Sequence, residues 1–175
     1  MNEIKEFIGI DISKATFDVY GSEVGFHKFE NTDVGFKSLL NLIDSDDCCV
    51  MEVTGGYHNR LAEYLHAHQI KVSVVNPVSI KRYGQMRLKR NKSDKADAQL
   101  IWSYACNQGV KLWEPLPAYL ETCRSHQSVI SLYLKQSTQL KNKLQYLENR
   151  SLDKGAVARS IKLQLSRLTI EIQRL

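Results

Sequence analysis

A chain of 175 residues, 43% hydrophobic and 25% charged, has the makeup of a globular protein: one domain with a real core, or one domain plus a helical appendage. No apolar run approaches the ~20 residues that span a bilayer. The opening Met1-Asn2-Glu3-Ile4-Lys5-Glu6 lacks the basic-then-apolar pattern of a secretory leader, so membrane and exported classes are set aside.

The first predicted element is Phe7-Ile8-Gly9-Ile10-Asp11-Ile12-Ser13, an apolar run with one acid near its end, which reads as a buried strand. Thr16 to Tyr20 alternates and reads as a second strand, reached through the turn Ser13-Lys14-Ala15. Gly21 to Gly25 turns the chain again into a half-exposed strand, Phe26 to Glu30. Asn31, Thr32 and Asp33 offer helix caps, and Phe36, Leu39, Leu40 and Ile43 follow at helical spacing, predicting an amphipathic helix over 33–44. Cys48 to Val53 is another buried strand with an acid, Glu52, near its end; Thr54-Gly55-Gly56 breaks it. His58 to His68 reads as a helix, and Lys71 to Val75 as a fifth strand closed by Asn76-Pro77. The order β-β-β-α-β-α-β predicts a mixed α/β sheet, with the first, fourth and fifth strands parallel neighbours under the right-handed crossover rule.

From residue 78 the pattern is helical. One helix is predicted over Ser79 to Leu88, then a basic turn, Lys89 to Lys92. Ser93 is a good N-cap for a helix running through Asp94, Asp97, Leu100, Ile101 and Tyr104 to Gly109. Pro115 and Pro117 mark a linker. Beyond it, Ile130, Tyr133, Ser137, Leu140, Leu144 and Leu147 step by threes and fours, and Ile161, Leu165, Leu168, Ile172 and Leu175 repeat the rhythm after a break containing Gly155. Two heptad blocks predict an antiparallel helical hairpin or a coiled coil, which divides the chain into residues 1–115 and 116–175. The pattern is still running at Leu175, as expected if the chain is part of a longer one.

Charge and thiols bear on partners and compartment. Residues 1–80 hold 6 Lys/Arg against 12 Asp/Glu; residues 81–175 hold 18 against 7. A basic C-terminal half suits a polyanion such as nucleic acid, whose counterions Lys and Arg displace; a solvated Lys-rich helix surface is the plain alternative. The cysteines at 48, 49, 106 and 123 form no C-x-x-C pair, which points to free thiols in a reducing cytoplasm.

Acids at apolar strand ends carry the chemistry. A lone buried carboxylate costs several kcal/mol, roughly, unless a partner or metal compensates. Asp11 and Glu52, on neighbouring parallel strands, converge at one sheet edge; the bland alternative is that each faces solvent. Asp94 and Asp97 are three apart and share a helix face, although an acidic first turn is also what a helix dipole favours. Around them stand Lys81, Arg82, Arg87, Lys89, Arg90, Lys92 and Lys95. Hard oxygen ligands inside a basic stretch suit Mg²⁺ or Mn²⁺ together with phosphate. Lys14 and Ser13 could touch phosphate or simply form a turn, and Tyr57 could stack on a base or pack. The scattered histidines, His66 and His68 among them, lack a metal-site partner motif. Gly55-Gly56 is no phosphate loop, because no G-x-x-x-x-G-K-[ST] is present; a backbone turn near the acids is expected there.

Ile8-Gly9-Ile10-Asp11-Ile12-Ser13-Lys14, Glu52-Val53-Thr54-Gly55-Gly56-Tyr57 and Lys92-Ser93-Asp94-Lys95-Ala96-Asp97-Ala98, in that order, resemble the DEDD insertion-sequence transposases and Piv-like DNA recombinases over roughly residues 5–120. The resemblance implies a RuvC-like, ribonuclease-H-like fold: a five-stranded mixed sheet with flanking helices, followed by a helical coiled-coil hairpin. It implies that Asp11, Glu52, Asp94 and Asp97 bind Mg²⁺ (or Mn²⁺) and are the catalytic acids. DNA is the implied partner, with a structured guide RNA in some members, and the coiled coil is expected to join subunits into a dimer or tetramer at the bacterial nucleoid, with no membrane involved. Such proteins also use a serine from a C-terminal domain that nothing in these 175 residues matches, so full recombination is not expected from this chain alone. Two other readings compete: a RuvC-like, metal-dependent junction nuclease and a non-catalytic nucleic-acid-binding dimerisation module. Sugar kinases and actin-like ATPases begin with a similar strand, but need a second nucleotide-binding half for which the heptad tail leaves no room.

Overall fold

The computed structural model describes residues 4–87, 94–152 and 154–175, with the side chains of Asp94 and Lys95 outside that description. Two compact units emerge, Met1–Pro115 and Leu116–Leu175.

The first unit holds β1 (Phe7–Ile12), β2 (Thr16–Gly21), β3 (Gly25–Glu30), α1 (Asp33–Leu40), β4 (Cys48–Glu52), α2 (Tyr57–Ala67), β5 (Lys71–Val75), α3 (Pro77–Met86) and α4 (Asp94–Gln108). Its five strands form one sheet in the order β3-β2-β1-β4-β5. β2 runs antiparallel to β1 and β3, whereas β4 is parallel to both β1 and β5. This is the expected mixed α/β sheet with flanking helices, and it is compatible with a ribonuclease-H-like fold.

Alternation along the strands sends successive side chains to opposite faces. Ile8, Ile10 and Ile12 of β1, Phe17 and Val19 of β2, Cys49 and Met51 of β4 and Val72 of β5 form one core with Phe36 and Leu39 of α1 and Leu61 and Leu65 of α2. Each such fully buried side chain contributes roughly 1.5–3 kcal/mol, so this face supplies most of the hydrophobic stabilisation. The other face is covered by α3 and α4, where Cys48 and Val50 pack against Ile80, Ile101 and Ala105.

Gly9 sets how closely α4 approaches. A Cβ at this position would lie 2.3 Å from the Ala98 carbonyl oxygen and 2.4 Å from the Trp102 nitrogen. Only a residue without a side chain lets the helix backbone rest on β1. The open edge of β5 is partly covered as well: the Trp113 N–H donates to the Val72 carbonyl (2.7 Å), and the Ser73 hydroxyl donates to the Lys111 carbonyl (2.8 Å).

Three local expectations are revised. Helix α1 stops at Leu40, four residues short of the predicted end. Asn41 turns the chain, and the Asp47 carboxylate accepts the Asp44 N–H at 2.8 Å, fixing a loop in place of a further helical turn. Its start follows the expectation, with the Thr32 hydroxyl accepting the Gly35 N–H. Helix α3 begins two residues early, because Pro77 suits a first helical position and Asn76 caps the Val78 N–H at 2.9 Å. Strand β2, read as simply alternating, lies between β1 and β3 and is buried on both faces along Phe17, Asp18 and Val19. The predicted Ser93 cap and the basic turn Lys89–Lys92 lie outside the described residues.

The second unit is two helices, α5 (Ala118–Glu148) and α6 (Ala156–Arg174). They meet through Leu140, Leu144, Leu147, Ala158, Ile161 and Leu165. Ile130, Tyr133, Ser137, Leu140, Leu144 and Leu147 are less exposed than the α5 residues between them, so the three-and-four rhythm marks the inward stripe. Between the helices, Ser151 takes a positive φ of 56°. Among the described residues, no helix is long and apolar enough to cross a membrane.

Candidate active site

The parallel register Ile10↔Met51 makes Asp11 and Glu52 the next residues along adjacent strands, so they leave the sheet at one end and on one face. That is the α4 face. Asp97 sits on the first turn of α4, where the close seat at Gly9 brings the helix down onto β1. Asp11, Glu52 and Asp97 line one cavity of about 460 Å³, walled by Ile80 and Lys81 of α3 and Leu100 and Ile101 of α4.

The electrostatics agree with this convergence. The Glu52 carboxyl is pushed above its ordinary range, first by burial, then by the negative charges of Asp11 and Asp97. Glu52 of β4 therefore feels the acids of β1 and α4. Among the described residues, no group of three or more His, Cys, Asp or Glu side chains closes into a metal-holding cluster. Asp94 is the first residue of α4, and its side chain is outside the description.

The other expected contact residues are spread out. Lys81 lines the acidic cavity, whereas Arg82 is exposed on α3 and does not line it. Arg87 is exposed but engaged by its own protein: its Nη1 donates to the Ser103 hydroxyl at 2.7 Å, and the guanidinium lies 4.9 Å from the Tyr83 ring centroid. The Ser103 bond ties the end of α3 to α4, and the Tyr83 contact lies within α3. Lys89, Arg90 and Lys92 lie outside the described residues, as does the side chain of Lys95. Lys14 is exposed in the β1–β2 turn, beside Ser13, whose hydroxyl donates to the Thr16 carbonyl at 2.7 Å and so closes that turn. Tyr57 is 43% exposed at the start of α2 and does not line the cavity.

Gly55 and Gly56, with φ of +48° and +90°, let the chain leave β4 and enter α2 within a few residues. His58 fixes this connection, its Nδ1 accepting the Thr54 N–H at 3.2 Å; burial holds its pKa below the ordinary value. Cys48 and Cys49 are buried in β4, and burial pushes the Cys48 thiol up to about 12, so neither offers a thiolate.

Two residues escaped the sequence reading. Gly9 seats α4. Asp18 stands directly across β1–β2 from Asp11, only 5% exposed, with Lys28 3.3 Å from its Oδ2 and no hydrogen-bond partner for its Oδ1. The signal for both was available in the spacing. Gly9 is two residues before Asp11 on the same face, and a tight turn at 13–15 pairs residue 11 with residue 18.

Comparison with known proteins gives consistent results. A family model described as a transposase, of the DEDD type named for IS110, matches residues 8–147. The pilin gene-inverting proteins of Moraxella lacunata and Moraxella bovis are each 32% identical over 160 residues, covering 77% of this chain and 50% of theirs. The chain thus spans about half the length of the curated relatives it matches. With three acids gathered from β1, β4 and α4 inside the matched region, the chain belongs to the IS110-type DEDD transposase family.

Proposed function

We propose that Asp11, Glu52 and Asp97, completed by Asp94, hold Mg²⁺ or Mn²⁺ and a DNA phosphate, and that the chain is the N-terminal part of a recombinase that cuts and rejoins DNA phosphodiesters. One observation carries this reading: carboxylates from three separate elements line a single cavity, where burial, and after it the charges of Asp11 and Asp97, raises the Glu52 pKa. An all-oxygen donor set with surplus negative charge fits a hard divalent cation. Such a cation, when bound, would neutralise charge developing on the phosphoryl oxygens.

The chain's own residues do the rest. Asp11 and Glu52 are fixed by the sheet and Asp97 by the seat of α4, so the donors are preorganised. Lys81 supplies a cation for phosphate at the cavity wall, and Ile80, Leu100 and Ile101 form its apolar lining. The basic stretch from Lys81 to Lys95 is proposed to grip DNA or a structured guide RNA, with Lys14 and Tyr57 as further contacts. The heptad stripe of α5 and α6 is proposed as a coiled-coil contact between subunits. In this reading, strand exchange also needs a nucleophilic serine from outside these residues.

The test pairs binding with cleavage. Nucleic-acid binding by the chain should depend on Mg²⁺ and fall in Asp11→Asn, with no strand exchange in a plasmid assay. Multiple-turnover, Mg²⁺-dependent hydrolysis of branched DNA that Asp11→Asn abolishes would favour a junction nuclease. Binding indifferent to both chelator and Asp11→Asn would leave a non-catalytic module.

A further inference from the structure

The sheet face under α4 carries one acid more than the cavity uses. Asp18 faces Asp11 across the β1–β2 ladder, a pairing that holds Cβ atoms roughly 4.5–5.5 Å apart. Like charges in that position repel, and Asp18 is 5% exposed on β2, a strand paired on both sides. Lys28, its neighbour on β3, reaches only Oδ2, at 3.3 Å. Oδ1 is buried without a hydrogen-bond partner. A buried carboxylate oxygen left unsatisfied beside a second acid is a costly arrangement for a residue with a purely structural role.

We propose that Asp18 is a positioning residue of the acidic site: its Oδ1 accepts a hydrogen bond from water carried by a divalent cation at Asp11, while Lys28 holds Oδ2. This rests on the metal-holding reading of Asp11, Glu52 and Asp97. Supporting groups of this kind hold bound water and ligands in orientation, and their loss typically lowers metal affinity by about 10- to 100-fold.

The test is a Mn²⁺ titration of the 175-residue chain, following the free-ion signal by electron paramagnetic resonance, with thermal melts in chelator alongside. Asp18→Asn should bind Mn²⁺ about 10- to 100-fold more weakly, with an unchanged or higher melting midpoint in chelator. Affinity within twofold of the unaltered chain overturns the proposal, whatever happens to the midpoint. If Asp18→Asn fails to fold, Asp18→Ser is the second variant. It removes Oδ1 and should weaken Mn²⁺ binding about 10- to 100-fold, and affinity within twofold of the unaltered chain overturns the proposal. Asp11→Asn separates the two levels: if it abolishes binding while Asp18→Asn does not weaken it, only the role of Asp18 falls. If Asp11→Asn binds as the unaltered chain does, or the unaltered chain binds no Mn²⁺, the metal-holding reading falls with it.

Discussion

The two faces of the central sheet come from the same strands, one residue out of step, yet they are built to opposite ends. Toward α1 and α2, the buried strand positions are apolar, and Phe17 meets Phe29 and Phe36 at ring-centroid distances of 5.4 and 6.0 Å. Toward α4, β1 offers Gly9 and Asp11, β2 offers Asp18, and β4 ends in Glu52. The first face is close-packed and stabilising. The second collects charge that would be costly without the first to hold it in place. Neutralising an acid on the second face should therefore act with the opposite sign to truncating an apolar side chain on the first.

The largest effect is expected on the apolar side. Phe17→Ala should destabilise the fold by about 3–5 kcal/mol, read as a lower denaturation midpoint in urea. A loss under 1 kcal/mol would mean that the α1–α2 face is not the main core. Next comes Gly9→Ala, which should cost about 1–3 kcal/mol and also weaken Mn²⁺ binding, because the new methyl meets α4 backbone rather than a yielding side chain. Preserved metal binding in a folded Gly9→Ala protein would argue that the seat of α4 does not position Asp97.

Glu52→Gln should act in the opposite direction. Folding raises the Glu52 pKa, so the folded chain binds more protons than the unfolded one between the two values. That contribution is fully present below about 4.5 and is lost as pH rises through the raised value. In metal-free buffer, Glu52→Gln should therefore gain in melting midpoint relative to the unaltered chain as pH rises from 4 to 8. Mn²⁺ should reverse the order, since binding requires the deprotonated carboxylate. A pH-independent difference would show that neither burial nor the neighbouring acids raise the Glu52 pKa. The smallest effect is expected at an exposed ion pair. Arg60 and Asp33 pair at 2.8 Å but are exposed, and the Arg60 guanidinium lies 5.7 Å from the Phe36 ring centroid, so Arg60→Ala should shift stability by no more than about 1 kcal/mol.

Much of the sheet was legible because its signals are local. The alternation of apolar residues, the turns at Ser13–Ala15 and Gly21–Gly25, and the crossover rule sufficed for five strands with β1, β4 and β5 parallel. Helix ends were less legible, since α1 is cut short by a loop fixed through Asp47, a contact that no spacing rule announces. Asp11 and Glu52 stood out because an acid interrupts an apolar run. Asp18 did not, because a polar residue in an alternating strand ordinarily faces solvent; it is buried because α4 packs across β2 as well as β1. Arg87 belongs to the basic stretch on charge alone, and its tie to Ser103 depends on how α3 and α4 meet in space.

The most direct test of the central claim is a crystal of the protein soaked in Mn²⁺ and measured at the manganese edge. An anomalous peak is expected among Asp11, Glu52, Asp94 and Asp97, lost in Asp11→Asn crystals. A peak elsewhere with none at these carboxylates, or a peak there that persists in Asp11→Asn, would contradict it.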